Sequence, residues 1–467
     1  MHYISTRGLA PRLGFCDAVL AGLARDGGLY LPQTWPQIDH TQIGAMANKP
    51  FADVAFEVIS PFVDGEIPAD KLRQMLNEAY GTFRHSAVAP LVQTDEGHFV
   101  LELFHGPTLA FKDVAMQFLA RVMDHILGER DQRATIVGAT SGDTGSAAIE
   151  AFRGRDNTDI FILHPKGMVS PVQQRQMTTV LDKNVHNIAL EGNFDDCQTI
   201  VKDMFNNHHF SDGVNLSGVN SINWGRIVAQ VVYYFTSAVA LGAPHREVSF
   251  TVPTGNFGDV FAGFVAQKMG LPIKQLIIAT NENDILRRTM DTGRYEMDGV
   301  CATTSPSMDI QISSNFERLL FEANDRNAEE TKAQMDGLKQ SGSFALSEKA
   351  LKSIKAKFTA GTSDQAQTAA VQQNVLDNAG YLMDPHTAVA YKVALERADA
   401  TTPMVTLSTA HPAKFPAAVK SATGVDAPLP AWLSDLYERE ERFEVLENSQ
   451  SAVEGFIKTH ARANKEQ

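Results

Sequence analysis

An α/β fold built on parallel sheets, preceded by a mostly helical N-terminal region and interrupted by a helical insertion, is the fold class this sequence predicts. Three observations predict it. From residue 133 onward, short apolar runs at 134–137, 160–164 and 185–190 alternate with helix-period patterns, as strands covered on both faces do. Two glycine-containing loops, 137–146 and 252–259, each follow such a run and open a helical pattern. Residues 281–375 differ in character: they are charged, helical and strand-poor, which marks a helical insertion without chemistry of its own.

Taken in order, the chain up to about residue 84 reads as mostly helical, with helices at 51–63 and 69–83. Residues 90–94 and 98–103 flank Asp95-Glu96-Gly97, a hairpin signal that runs straight into the stretch 102–113, Glu-Leu-Phe-His-Gly-Pro-Thr-Leu-Ala-Phe-Lys-Asp. The strands between 134 and 190 make one sheet. A helix beginning near Gly225 and strands at 248–252 and 275–279 belong to a larger one, to which 404–408 returns as the last core strand. The tail 432–460 reads as helical and acidic at first, and no repeat or low-complexity segment is evident.

Lys112 ends an apolar run and begins an amphipathic helical pattern. At a strand-to-helix junction the helix dipole and partial burial both disfavour an ammonium, so the amine is expected below its free value of about 10.4. A neutral amine is a nucleophile, and its usual protein use is a Schiff base with an aldehyde such as pyridoxal 5'-phosphate. Most lysines near a helix start are solvated surface residues, so Lys112 gains meaning only beside the two loops. Each loop is a strand, a tight turn and a helix start. Glycines let the backbone approach an oxyanion, and free N–H groups at the helix start point at it, although an ordinary βα turn has the same outline.

Gross properties narrow the function classes. With 467 residues and 43% hydrophobic content the chain can form a sizeable core, in two or three domains. A net charge of −14 argues against nucleic acid and against an anionic membrane surface, and any phosphorylated substrate must be drawn in by a local cluster of donors. Cys16, Cys197 and Cys301 are too scattered for a disulfide framework or a CxxC metal site and are expected as reduced thiols. No metal is expected, since neither HxxxH nor HExxH spacing occurs. Without an apolar run behind the first residues, or one approaching the roughly 20 residues of a membrane span, the expectation is a cytoplasmic protein, neither exported nor membrane-embedded.

Beyond the lysine stretch and the two loops, further motifs occur in order: Tyr-Ile-Ser-Thr-Arg-Gly at 3–8, Asp-Gly-Gly-Leu-Tyr-Leu-Pro at 26–32, His-Pro-Lys-Gly at 164–167, Phe-Asp-Asp-Cys-Gln at 194–198, Asn-Ser-Ile-Asn-Trp at 220–224, Ser-Pro-Ser-Met-Asp-Ile at 305–310 and Ser-Thr-Ala-His-Pro-Ala-Lys-Phe at 408–415. Together, along nearly the whole chain, they resemble the threonine synthase family, pyridoxal-phosphate enzymes of the tryptophan synthase β-subunit fold type. The resemblance implies fold type II, with two parallel-sheet subdomains around a cofactor cleft. It places an N-terminal domain at 1–85 and a catalytic region at 86–467, with a small subdomain at about 100–220 and a large one at about 221–467 carrying the insertion at 281–375.

The resemblance also implies roles. Lys112 would hold pyridoxal 5'-phosphate and, once displaced, move protons at Cα and Cβ of the substrate. Gly255, Asn256, Phe257, Gly258 and Asp259 would cradle the cofactor phosphate. Thr409, rather than Ser408, would face the pyridine nitrogen; strand alternation says only that one of the pair points inward. Thr140, Ser141, Gly142, Asp143 and Thr144 would grip the substrate carboxylate, and Asn220, Ser221 and Arg226 the leaving phosphate, for which an arginine fork is well suited. Many relatives in the wider fold type carry asparagine where Asp143 stands, near the cofactor's 3' oxygen. An ionised carboxylate beside that phenolate would be repulsive, so Asp143 is expected to be protonated or turned away. His105, Asp113 and His411 are read as structural.

The implied reaction converts O-phospho-L-homoserine and water to L-threonine and phosphate, by γ-elimination and addition of water at Cβ, in a monomer or homodimer. Two alternatives stay open on sequence: a lyase of the same cofactor acting on another phosphorylated or hydroxy amino acid, and a cofactor-binding protein without turnover.

Overall fold

A computed structural model describes residues 1–463 and contains two parallel sheets. The larger has six strands in the order Phe358–Thr362, Ile273–Thr280, Val248–Pro253, Met404–Ser408, His98–Glu102 and Leu91–Asp95. Neighbours are parallel throughout, except for the closing hairpin of Leu91–Asp95 with His98–Glu102. The smaller has five parallel strands in the order Glu444–Glu447, Val185–Glu191, Thr158–Pro165, Ala134–Ala139 and Leu216–Ser217. Every residue of Thr158–Pro165 and of Val248–Pro253 is buried, as expected of strands covered on both faces.

The N-terminal helices Phe51–Val63 and Ala69–Tyr80 form where they are expected, the second stopping at Gly81, three residues early. They do not enclose a core of their own. Trp224, at the start of the helix Trp224–Ala240 and fully buried, meets Tyr3 at 5.9 Å, Phe62 at 5.7 Å and Trp35 at 6.2 Å, ring centroid to centroid. Aromatic burial of this size is worth about 3–5 kcal/mol per large ring, so the N-terminal region is bonded to the catalytic body through one continuous apolar cluster.

Two expectations fail. The insertion is not strand-poor throughout: Phe358–Thr362 pairs with Ile273–Thr280 as an edge strand of the larger sheet. Its pattern is masked by Gly361, where an added Cβ would lie 2.6 Å from Val393 of the covering helix Pro385–Arg397. The tail, expected to be helical and to stay with the large subdomain, instead contributes the edge strand Glu444–Glu447 to the smaller sheet before the helix Gln450–His460. That strand is short, largely exposed and bracketed by glutamates, so it carries no apolar run to read.

The helix Lys112–Glu129 packs against both Asp143–Phe152, on the smaller sheet, and Trp224–Ala240, on the larger. Its first residue therefore lies where the two sheets meet. Among the described residues no helix is long and apolar enough to cross a membrane, and no cluster of histidine, cysteine, aspartate or glutamate is arranged to hold a metal ion. All three cysteines are free, Cys16 and Cys197 buried and Cys301 exposed.

Candidate active site

The turn that delivers Lys112 is fixed from within. The Asp113 carboxylate accepts from the Thr108 amide at 2.8 Å and from its hydroxyl at 2.7 Å, and Leu109 adopts the left-handed φ of 63°. Gly106 is required there, because a Cβ would lie 2.5 Å from Asp113. The turn is also tied to the end of the strand Met404–Ser408: Phe111 N donates to Thr409 O at 2.8 Å, and His411 N to Leu109 O at 3.0 Å. Asp113 and His411, whose Nδ1 accepts from Ala413 N at 3.1 Å, thus hold backbone.

Lys112 is buried, and its Nζ donates to Asp143 Oδ2 at 3.3 Å. Burial pulls the amine below the usual lysine range; Asp143 opposes this, while Lys414 and Arg226 add to it by like-charge repulsion. Asp143 departs from expectation. It is not turned away but lies between two lysines, with Oδ1 2.9 Å from Lys414 Nζ and accepting from Gln173 Nε2 at 2.8 Å. Burial alone would raise its pKa, yet Lys414 and Lys112 outweigh it and hold the carboxyl well below the ordinary carboxylate range.

The rest of its loop is partly spoken for. Thr140 Oγ1 accepts from the amides of Gly142 and Gly145, both at 2.9 Å, so the Thr140 oxygen shapes the turn. Gly142, at φ 144°, leaves room for Gln173, 2.4 Å from where a Cβ would stand. What remains open to a ligand is the exposed Ser141, the half-buried Thr144 and the N–H groups that start the helix Asp143–Phe152.

The second loop turns an uncapped helix start toward the lysine end of the site. Phe257 takes the left-handed φ of 64° and precedes the helix Gly258–Lys268 with no side-chain cap, leaving the first N–H groups without partners. Gly255 is pressed to 2.5 Å, at its Cβ position, from Ser307 O. Asn315 links this loop to the next group of site residues: its Nδ2 donates to Asn256 O at 3.0 Å and to Ser221 O at 3.1 Å. The Asp259 side chain faces away from solvent toward Tyr233 and Tyr234. Burial pushes it up to about 7, against the lowering effect of both tyrosines, and its Oδ2 has no partner.

Arg226 sits in the first turn of the helix Trp224–Ala240 and is 4% exposed. Its Nη1 donates to Val219 O at 3.1 Å, while its Nε is buried with no partner; burial lowers the guanidinium to about 10. Ser221 is half-buried and Asn220 exposed. On the last strand, the Ser408 hydroxyl is engaged by Thr387 at 3.0 Å, whereas the Thr409 hydroxyl has no protein partner among the described residues.

An amine with a lowered pKa, a capless helix start, an orphaned buried guanidinium and an uncommitted hydroxyl converge here; an aldehyde- and phosphate-bearing cofactor would complete the amine, the helix start and the hydroxyl, and a second anion the guanidinium. Lys414, Gln173, Tyr233 and Asn315 were not singled out by sequence. Lys414 was quoted within the 408–415 motif, but a lysine two residues after a proline reads as surface, and only the fold buries it completely.

Three family models match: threonine synthase N terminus at residues 2–80, pyridoxal-phosphate dependent enzyme at 84–409, and threonine synthase, C-terminal, at 387–457. A threonine synthase of Pseudomonas aeruginosa is 52% identical over the whole of both chains. The crystal structure of a pyridoxal-phosphate-bound threonine synthase from Brucella melitensis superposes with a TM-score of 0.98 at 66% identity, covering 99% of this chain and 100% of that one. The yeast threonine synthase structure gives 0.94 at 40% identity over 98% of each chain.

Proposed function

The chain belongs to the threonine synthase family, and from that premise we propose that it converts O-phospho-L-homoserine and water into L-threonine and inorganic phosphate, with Lys112 as the reacting amine. It is a pyridoxal-phosphate-dependent lyase of threonine biosynthesis. Bound in this site, the cofactor supplies an electron sink that makes the α- and β-protons of an amino acid removable.

The chain's own residues would do the rest. Lys112, whose amine burial and its cationic neighbours pull below the usual lysine range, carries protons to and from Cα and Cβ. The N–H groups of Gly258 and Asp259 and the backbone of Gly255, Asn256 and Phe257 hold the cofactor phosphate, and Thr409 meets the pyridine nitrogen with a neutral hydroxyl. Ser141, Thr144 and the helix start at Asp143 receive the substrate carboxylate, with Thr140 and Gly142 shaping the turn. Arg226 holds the leaving phosphate with Ser221 and Asn220 at the mouth.

The observation that carries the substrate reading is Arg226: a buried guanidinium with an orphaned Nε is costly unless an anion completes it, and a γ-phosphate leaving group is such an anion. The site lies between two sheets, so closing the smaller over the larger would exclude water until phosphate has left. We place the reaction in the cytoplasm, in a monomer or homodimer.

The test compares purified wild type and Lys112→Ala by visible absorption, then supplies O-phosphohomoserine and assays threonine and phosphate. A visible band lost in the variant, with the two products released one for one by the wild type, is expected. A lysine-dependent band without threonine would assign another substrate; 2-oxobutanoate in its place would make the protein a dehydrating lyase.

A further inference from the structure

Lys414 is fully buried, in a short 3-10 turn just beyond the strand Met404–Ser408, and nothing in the proposed reaction uses it. Its ammonium is completely coordinated: Thr108 O at 2.7 Å, Gln176 Oε1 at 3.0 Å and Asp143 Oδ1 at 2.9 Å. These partners come from three places, namely the turn before Lys112 and the helices Asp143–Phe152 and Pro171–Thr178 of the smaller sheet. A buried lysine this well satisfied persists as a charge only because a carboxylate faces it.

Asp143 has two oxygens and two lysines, but the two pairings are not equivalent. Lys112 lies farther off, at 3.3 Å, and must leave the pair whenever its nitrogen bonds to an aldehyde. Were Lys112 the sole counterion, its ammonium would be locked by the pairing, and its departure would strand a buried carboxylate. We infer that Lys414 is the permanent counterion of Asp143, a positioning residue that keeps this carboxylate satisfied and so frees the Lys112 amine to react. The inference rests on the reading of Lys112 as the reacting amine.

The charged groups around the pair are few. Lys112 feels Asp143, Lys414 and Arg226, and is itself felt by Asp259; Lys414 faces Asp143 and also acts on Asp113 and His411. Replacing Lys414 by an uncharged side chain leaves Asp143 with Lys112 alone. That shift should make the Lys112 amine harder to deprotonate by about one pH unit, or roughly tenfold in the reactive fraction near neutral pH.

The experiment labels the full chain, freed of cofactor, with formaldehyde and a mild hydride reductant, and follows methylation of the Lys112 peptide by mass spectrometry between pH 6 and 9. Lys414→Met should slow Lys112 labelling about tenfold at pH 7.5 and move its pH profile upward, and Lys414→Arg should stay near wild type. In an Asp143→Asn background the same Lys414→Met change should alter the rate less than about threefold, because the carboxylate is gone and only the direct repulsion between Lys414 and Lys112 remains to be lost. Equal effects in both backgrounds, or none in either, would overturn the inference. If Lys414→Met alone does not fold, the doubly neutral variant measured against Asp143→Asn carries the test, and a tenfold drop there would equally overturn it. No turnover is read, so failure here is distinct from a failure to form threonine.

Discussion

The Ser408 and Thr387 hydroxyls lie 3.0 Å apart, and Thr387 spends its only proton on Asp384, so Ser408 is the donor between them. That commitment engages the Ser408 hydroxyl, while that of its neighbour Thr409 has no protein partner among the described residues, which is what the proposed role of Thr409 requires. The two alanine variants should therefore separate. Ser408→Ala leaves a buried acceptor unsatisfied and should lower the stability of the cofactor-free protein by about 1–3 kcal/mol with little change in the visible spectrum. Thr409→Ala should leave that stability unchanged and weaken cofactor binding about fivefold, for loss of about 1 kcal/mol. Urea unfolding and cofactor titration check both; a spectral change confined to Ser408→Ala would reverse the assignment.

Arg226 offers the opposite contrast between stability and function. Its guanidinium is buried, yet among the described residues only Nη1 has a protein partner, at Val219 O. Arg226→Met removes a charge that the empty site does not satisfy, so the cofactor-free protein should be as stable as wild type or more so. The same change should lower kcat/KM for the phosphorylated substrate by roughly 10- to 150-fold, the worth of about 1.5–3 kcal/mol for hydrogen bonds to a charged group. Arg226→Lys should recover little, because an ammonium cannot present the Nε and Nη donors together. A large stability loss with unchanged kcat/KM would make Arg226 structural.

Much of this site was legible in the sequence, and its limits have physical causes. The strands and loops that carry the chemistry are buried runs ending in glycine-containing turns, and these announce themselves locally. Lys112 and the two glycine-containing loops could be singled out because each stands at an element boundary, whereas the roles proposed for Gly255–Asp259 and Arg226 come from the family resemblance. The charge state of Asp143 could not, because it is set by Lys414, 271 positions away in sequence and brought near only by the docking of the smaller sheet on the strand Met404–Ser408. The edge strands Phe358–Thr362 and Glu444–Glu447 escaped for a related reason: edge strands are short and polar on purpose, and their pairing is a property of the sheet they join.

Two deeply buried histidines set an acid limit. His98 stacks on Tyr391 with ring centroids 4.1 Å apart and shares a 2.8 Å hydrogen bond with Thr406, while His164 has an unpartnered Nδ1; burial pushes both down to about 4. A histidine whose folded pKa is depressed gives stability that is complete above the unfolded value of about 6.5 and drains away as pH falls from there to about 4. The unfolding free energy from urea titration should therefore drop between pH 7 and pH 5, by an amount on the order of 1 kcal/mol per histidine per pH unit. His98→Phe/His164→Phe should roughly halve that slope, because burial pushes His186 and His411 down to about 4 as well; an unchanged slope would place the acid sensitivity elsewhere.

Asp259 predicts a dependence of the opposite sign. Burial raises its carboxyl to about 7 although Tyr233 and Tyr234 both hydrogen-bond to it, so the unfolded chain releases the proton first. Stability from this group is then complete below about 3.8 and is lost as pH rises through 7. Asp259→Asn keeps the shape and the un-ionised state at every pH. In the cofactor-free protein the variant should gain on wild type by an amount on the order of 1 kcal/mol per pH unit between pH 4 and 7, and no further above that. The same logic governs the phosphate: an ionised Asp259 would repel it, whereas a neutral one can donate from its free Oδ2, as the asparagine amide also can. Cofactor affinity should accordingly survive in Asp259→Asn and weaken in Asp259→Leu. A stability difference that stays constant across pH would mean that Asp259 is ionised in the folded protein and that this donor role is wrong.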